Sequence, residues 1–90
     1  MKLNLYSIYD RKMNLYLAPF PARGDVDAIR NVSQSLRAPD VNQTPIGQSP
    51  ADFDLVKIGE FDDDIGTISG SHPLTLANIA TLIPSAQLPS

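Results

Sequence analysis

Two short runs of alternating apolar and polar residues open the chain, Leu3-Asn4-Leu5-Tyr6-Ser7-Ile8-Tyr9 and Met13-Asn14-Leu15-Tyr16-Leu17, separated by Asp10-Arg11-Lys12. Alternation rich in Tyr, Ile and Leu predicts strands, and the charged cluster predicts a turn between them, so residues 2–17 read as a β-hairpin. Pairing Tyr9 with Asn14 sets Ser7 opposite Tyr16, Ile8 opposite Leu15 and Tyr6 opposite Leu17. Cross-strand partners share a face. One face then carries Tyr6, Ile8, Met13, Leu15 and Leu17, and the other carries Leu3, Leu5, Ser7, Tyr9, Asn14 and Tyr16. The first has the character of a core surface, with Tyr6, Ile8, Leu15 and Leu17 expected beneath a helix. A one-residue slip would exchange the two faces.

The helix follows an extended Ala18-Pro19-Phe20-Pro21 connection. Val26, Ile29, Val32 and Leu36 recur at helical spacing, Gly24 or Asp25 can cap, and Asp25 and Asp27 suit the first turn. These features predict a helix over 25–36. Residues 38–51 contain three prolines and no periodic apolar pattern, which reads as a mobile loop. A third strand is expected over 52–61. The Asp62-Asp63-Asp64-Ile65-Gly66 turn leads from it to a short returning strand at Thr67-Ile68-Ser69. Leu74, Leu76, Ile79, Leu82 and Ile83 suggest two or three helical turns that dock on something. The expected class is α+β: a small antiparallel sheet of two β-hairpins with one packed helix, in ββαββ order. Residues 1–70 form the domain, and 71–90 form an apolar C-terminal tail or short docking helix.

Ninety residues with 42% hydrophobic and 19% charged side chains suit one small folded domain. The eight prolines all fall outside the runs assigned to strand or helix. Without cysteine there is neither a disulfide framework nor a thiolate metal site. No stretch has the apolar length of a signal sequence or a membrane span, so the chain is expected to stay in the compartment where it is made. A net charge of −3 argues against coating nucleic acid by bulk electrostatics. The charge is uneven: residues 1–57 hold all seven basic side chains and six acids, whereas 58–90 hold four acids and no Lys or Arg. A locally basic face is therefore possible.

Little in the sequence points to catalysis. His72 is the only histidine, and no serine lies in a nucleophile-elbow context, so the chain is not expected to be an enzyme. Residues 60–66 lack the later glutamate of an EF-hand, and no glycine pattern cradles a phosphate, so neither a metal nor a cofactor is expected. The tyrosines are more informative. Aromatic rings on an open sheet face beside cations can hold single-stranded nucleic acid, with bases stacking and cations following the backbone. Tyr9 and Tyr16 share a face with Arg11 and Lys12 at its end, and Lys57 with Phe53 and Phe61 could continue it. On the residues alone, Leu3 and Leu5 on the same face favour a core or dimer interface.

Three blocks carry a resemblance: Leu5-Tyr6-Ser7-Ile8-Tyr9-Asp10, then Ala22-Arg23-Gly24-Asp25 running on to Ala28-Ile29-Arg30, and Asp54-Leu55-Val56-Lys57-Ile58-Gly59-Glu60-Phe61-Asp62. In order and separation they resemble the small nonstructural protein of gokushovirus-type microviruses, tailless phages with circular single-stranded DNA. The sequence departs from that pattern at Gly24, at Val32 and in the proline-rich segment 38–51. The resemblance implies a non-enzymatic protein of the infected bacterial cytoplasm that binds single-stranded DNA or assists genome replication. It also implies a nucleic-acid surface of Tyr9, Arg11, Lys12, Tyr16, Arg23, Arg30 and Lys57. The expected partners are single-stranded DNA, a second copy in a homodimer, and a viral or host replication protein, without a membrane. The alternative is a protein–protein or dimerisation module, including a virion-associated one.

Overall fold

The computed structural model describes residues 1–83. Strand β1, Lys2–Asp10, is the centre of the sheet. Its exit is fixed by Asp10, whose Oδ1 accepts the backbone N–H groups of Lys12 (3.0 Å) and Met13 (3.1 Å). Asn14 closes the turn at φ 56°, a left-handed conformation that asparagine tolerates better than most residues. The chain returns as β2, Leu15–Tyr16, and β3, Phe20–Ala22, which pair with successive parts of β1 along one edge. Between them the Leu17 N–H donates to the Ile8 carbonyl at 2.8 Å, and the buried Ser7 hydroxyl donates to the Leu17 carbonyl at 2.6 Å. The register differs from the expected one by two residues, with Tyr9 opposite Tyr16 rather than Asn14, because the turn holds four residues. A slip of two preserves the faces.

Strand β4, Phe53–Asp62, pairs with the other edge of β1, and β5, Thr67–Asn78, pairs with β4. All pairings are antiparallel, and the five strands lie in the order β2-β1-β4-β5, with β3 beside β2 on β1. The small antiparallel α+β sheet with one main helix agrees with expectation, whereas the ββαββ order does not: three strands precede the helix. Register shifts beside Leu5/Tyr6, Leu55/Val56 and Lys57/Gly59 mark bulges that curl the sheet. The widest takes Ser71-His72-Pro73 out of register on β5, an edge strand where proline forfeits no ladder bond. Pro21 likewise lies in edge strand β3, so two prolines sit inside strands after all.

Helical turns expected over 74–83 are instead the end of β5 and a single 3₁₀ turn, Ile79–Leu82, capped by Asn78 Oδ1 accepting from Ala80 N (3.1 Å). Residues 71–78 thus belong to the sheet rather than to a tail. The remainder of the expected C-terminal segment, 84–90, lies outside the described residues.

Helix α1, Asp25–Ser35, packs through Ala28, Val32 and Leu36 on Tyr6, Ile8, Ala22, Phe53, Leu55 and Ile79, with Ile29 at the margin. Val26, expected in the stripe, is 70% exposed, and small Ala28 is fully buried in its place. The Tyr6 hydroxyl ties the sheet to the helix start, donating to Asp25 Oδ1 at 2.7 Å and accepting from Asn4 Nδ2 at 3.1 Å. Burial, then the hydrogen bond to Asp25, pushes the phenol up to about 12. Leu15 (42% exposed) and Leu17 (38%) lie outside the helix footprint, correcting the expectation that they sit beneath it. The segment read as a loop winds into a 3₁₀ turn at Val41–Gln43, helix α2 at Pro45–Gln48 and a 3₁₀ turn at Pro50–Asp52. Val41 and Ile46 from this segment pack against the core. A Cβ on Gly47 would fall 1.8 Å from the Val41 carbonyl oxygen, so these turns stack only because glycine is there.

Candidate nucleic-acid interface

Alternation along β1 sends Tyr6 and Ile8 towards α1 and Leu3, Leu5, Ser7 and Tyr9 to the opposite face. Pairing adds Tyr16 of β2, Asp54, Val56 and Phe61 of β4, and Ile68, Thr75 and Asn78 of β5 to that second face. One end of it is aromatic. Tyr9 and Tyr16 are directly opposed, their ring centroids 4.6 Å apart and their planes inclined at 46°. The Tyr9 hydroxyl donates to Asn14 Oδ1 at 3.2 Å, and Tyr16 is 45% exposed. The other end, around Leu3, Phe61 and Ile68, is apolar.

Arg11 and Lys12 lie in the turn that joins the two tyrosine strands, and both cations are already engaged, Lys12 on the side of Phe53 and α2. Arg11 Nε lies 3.7 Å from Asp54 Oδ2 and its Nη2 donates to the Ala51 carbonyl, while Lys12 Nζ lies 3.7 Å from Asp52 Oδ2. The backbone of the turn is pinned independently, the Arg11 N–H donating to the Asp52 carbonyl at 3.0 Å. Asn78 holds the acidic side. Its Nδ2 donates to Asp54 Oδ1 (3.0 Å), to the Ala51 carbonyl (3.0 Å) and to the Phe53 carbonyl (3.2 Å). Asp52, Asp54 and Asn78 were not singled out in the sequence. The only signal was the excess of acids close to Phe53, and pairing them with Arg11 and Lys12 requires the long-range β1–β4 register.

The remaining expected site residues do not join this cluster. Arg23 follows β3 beside the Asn4 row, roughly 17 Å along β1 from the Tyr9 row at the usual strand rise. Arg30 is exposed on α1, behind the sheet. Lys57 is paired with Tyr6 and Leu74 and follows the core-facing Phe53 and Leu55, so it points to the helix side. Phe53 is core, and Phe61 is on the tyrosine side but at its far end. The seven residues thus resolve into one local group, Tyr9, Arg11, Lys12 and Tyr16, and three separate cations.

Elsewhere, Asp62, Asp63 and Asp64 bring carboxylate oxygens within 4.8 Å of one another at the β4–β5 turn, which Gly66 closes at φ 70°. The Met1 amino group donates to Asp63 (2.7 Å) and Asp64 (2.8 Å), and these bonds raise its pKa. On the helix side an apolar pocket of about 230 Å³ opens among Ile8, Phe20, Val32, Leu36, Ile46 and Ile79. Among the described residues no helix is long and apolar enough to cross a membrane.

A curled antiparallel sheet, covered by a helix on one face and carrying on the other the paired tyrosines beside the buried Ser7 and Val56, defines a small α+β protein. The chain belongs to the phage ORF5 protein family, whose model matches residues 3–82. Comparison with curated proteins and with solved structures gave no match.

Proposed function

We propose that this phage protein is a non-enzymatic single-stranded-DNA-binding protein that serves genome replication in the cytoplasm of the infected bacterium, in a microvirus of the gokushovirus type. The observation that carries the reading is the Tyr9–Tyr16 pair, opposed across two strands on the face away from α1, with Tyr16 45% exposed and Arg11 and Lys12 in the turn that joins the two strands. A base can stack on the outer face of the pair, an interaction worth about 1–3 kcal/mol per base, while the two cations reach the flanking phosphates. Few phosphates are neutralised at once, so binding is modest and salt-sensitive.

A second reading is favoured by the apolar end of the same face. Leu3, Leu5, Phe61 and Ile68 carry no charge, and Ile68 is 71% exposed, which suits a homodimer or a contact with a replication or virion protein. Titration of labelled single-stranded DNA at low salt distinguishes the two. Wild-type protein is expected to bind, and Tyr9→Ala/Tyr16→Ala and Arg11→Ala/Lys12→Ala to lose most of the affinity. Absence of binding at high micromolar protein, together with self-association abolished by Ile68→Lys, would replace the first reading by the second.

A further inference from the structure

The two cations of the turn between the tyrosine strands are not free: each is paired with an acid delivered by the start of β4 or the turn before it. We infer that Asp52 and Asp54 are resident stand-ins for phosphate, which Lys12 and Arg11 must release before they can engage a nucleic-acid backbone, so that these acids limit affinity at the tyrosine site. The inference rests on the single-stranded-DNA reading and adds a regulating element to it.

The geometry supports exchange rather than permanent pairing. Both ion pairs are long, at 3.7 Å, and both basic side chains are largely exposed, Lys12 at 76%; Arg11 must also leave the Ala51 carbonyl, which keeps the Asn78 amide as a donor. The turn that carries them is held by its own bonds, through Asp10 Oδ1 and the Asp52 carbonyl, so Arg11 and Lys12 can swing away without unfolding it. Asp54, by contrast, is fixed. It sits directly across from Tyr9 on the paired strand, is largely buried, and is anchored by Asn78. An incoming phosphate beside Tyr9 therefore meets a carboxylate that cannot retreat and a guanidinium that can change partner. The acids contribute repulsion to the bound state and competition to the free state, and both effects weaken binding.

Removing the charge while keeping the hydrogen bond tests this directly. Asp54→Asn retains an Oδ1 acceptor for Asn78, and its far-ultraviolet circular dichroism and melting curve should match the wild type closely. With a fluorescein-labelled oligodeoxythymidylate in anisotropy titrations, Asp54→Asn is expected to bind roughly three- to tenfold more tightly, and Asp52→Asn/Asp54→Asn more tightly still. The plot of log K against log salt should steepen by about 0.7 for each cation released. Arg11→Gln/Asp54→Asn should lose most of the gain, which a general reduction of negative charge would leave in place. Binding by wild type with unchanged or weakened affinity in folded Asp54→Asn would overturn the inference and leave the DNA reading standing. Failure of both the wild type and Asp52→Asn/Asp54→Asn to bind at high micromolar protein would overturn both.

Discussion

Replacing Tyr6 by phenylalanine removes one oxygen from the centre of the fold and leaves everything else in place. The ring is completely buried and lies 5.9 Å from Phe20 at an interplanar angle of 30°, contacts that phenylalanine reproduces. What disappears is the bond to Asp25 and the acceptor for Asn4. A hydrogen bond to a charged acceptor contributes about 1.5–3 kcal/mol, but Asp25 is exposed and recovers water, so the net cost at pH 8 should be about 1 kcal/mol. For a chain of this size that lowers Tm by about 4–8 °C. The cost depends on pH in a definite sense. The folded phenol is raised from 10.0 to about 12, so the neutral form is favoured in the fold, and its stabilisation is complete below pH 10. It is lost as pH rises from 10 through 12 and the unfolded chain deprotonates first. Two pH units correspond to about 2.7 kcal/mol, an upper bound that screening at the exposed Asp25 end reduces to about 1 kcal/mol. Urea denaturation followed by circular dichroism on both proteins at pH 8, 10 and 11.5 isolates Tyr6, since the two proteins differ only there. The gap of about 1 kcal/mol should close by pH 11.5. A gap that stays constant across that range would refute the role given to the Tyr6–Asp25 bond.

Three further outcomes follow from the packing. Gly59→Ala should destabilise by about 1–3 kcal/mol in chemical denaturation, because its Cβ would lie 2.4 Å from the Ser69 carbonyl oxygen of β5. Val26→Lys should change stability by less than about 0.5 kcal/mol, whereas Ala28→Leu should cost about 1–3 kcal/mol; the reverse order in thermal melts would mean that α1 is rotated. Asn78→Ala should cost about 1–2 kcal/mol, because the Phe53 carbonyl loses its side-chain donor while Asp54 and the Ala51 carbonyl are left with Arg11 alone. Amide exchange at the β4–β5 junction would detect that loss locally.

The parts legible in the sequence were those written in neighbouring residues. Alternation marked β1 and β4, the acidic first turn marked α1, and Gly66 marked its bend. The faces of β1 and β2 were also readable, because a two-residue error in register leaves every side chain on its own side. What required the third dimension was hidden for physical reasons. A stripe drawn through the large apolar residues of α1 chose Val26 over Ala28, although the close approach of helix to sheet at Tyr6 selects the small one. Pro73 looked like a strand breaker because nothing local says that β5 is an edge. The candidate site was half visible: Tyr9, Tyr16, Arg11 and Lys12 are neighbours through one turn. Asp52, Asp54 and Asn78 reach them only through the sheet, and Lys57 was misplaced because its parity relative to Phe53 and Leu55 sends it to the helix side.

The central position of β1 also sets the order in which the protein can fold. One edge of β1 is satisfied within the next dozen or so residues, by β2 and β3. The other edge must wait for β4, where Asp10 meets Phe53 and Lys2 meets Asp62, roughly 43 to 60 residues further on. Closure of that large loop places the chain among the slower-folding small domains. During synthesis the first two-thirds of the polypeptide emerges with an open strand edge at its centre. The inner edge of β1, rather than either rim of the finished sheet, is then where a nascent copy is exposed to wrong pairing with another.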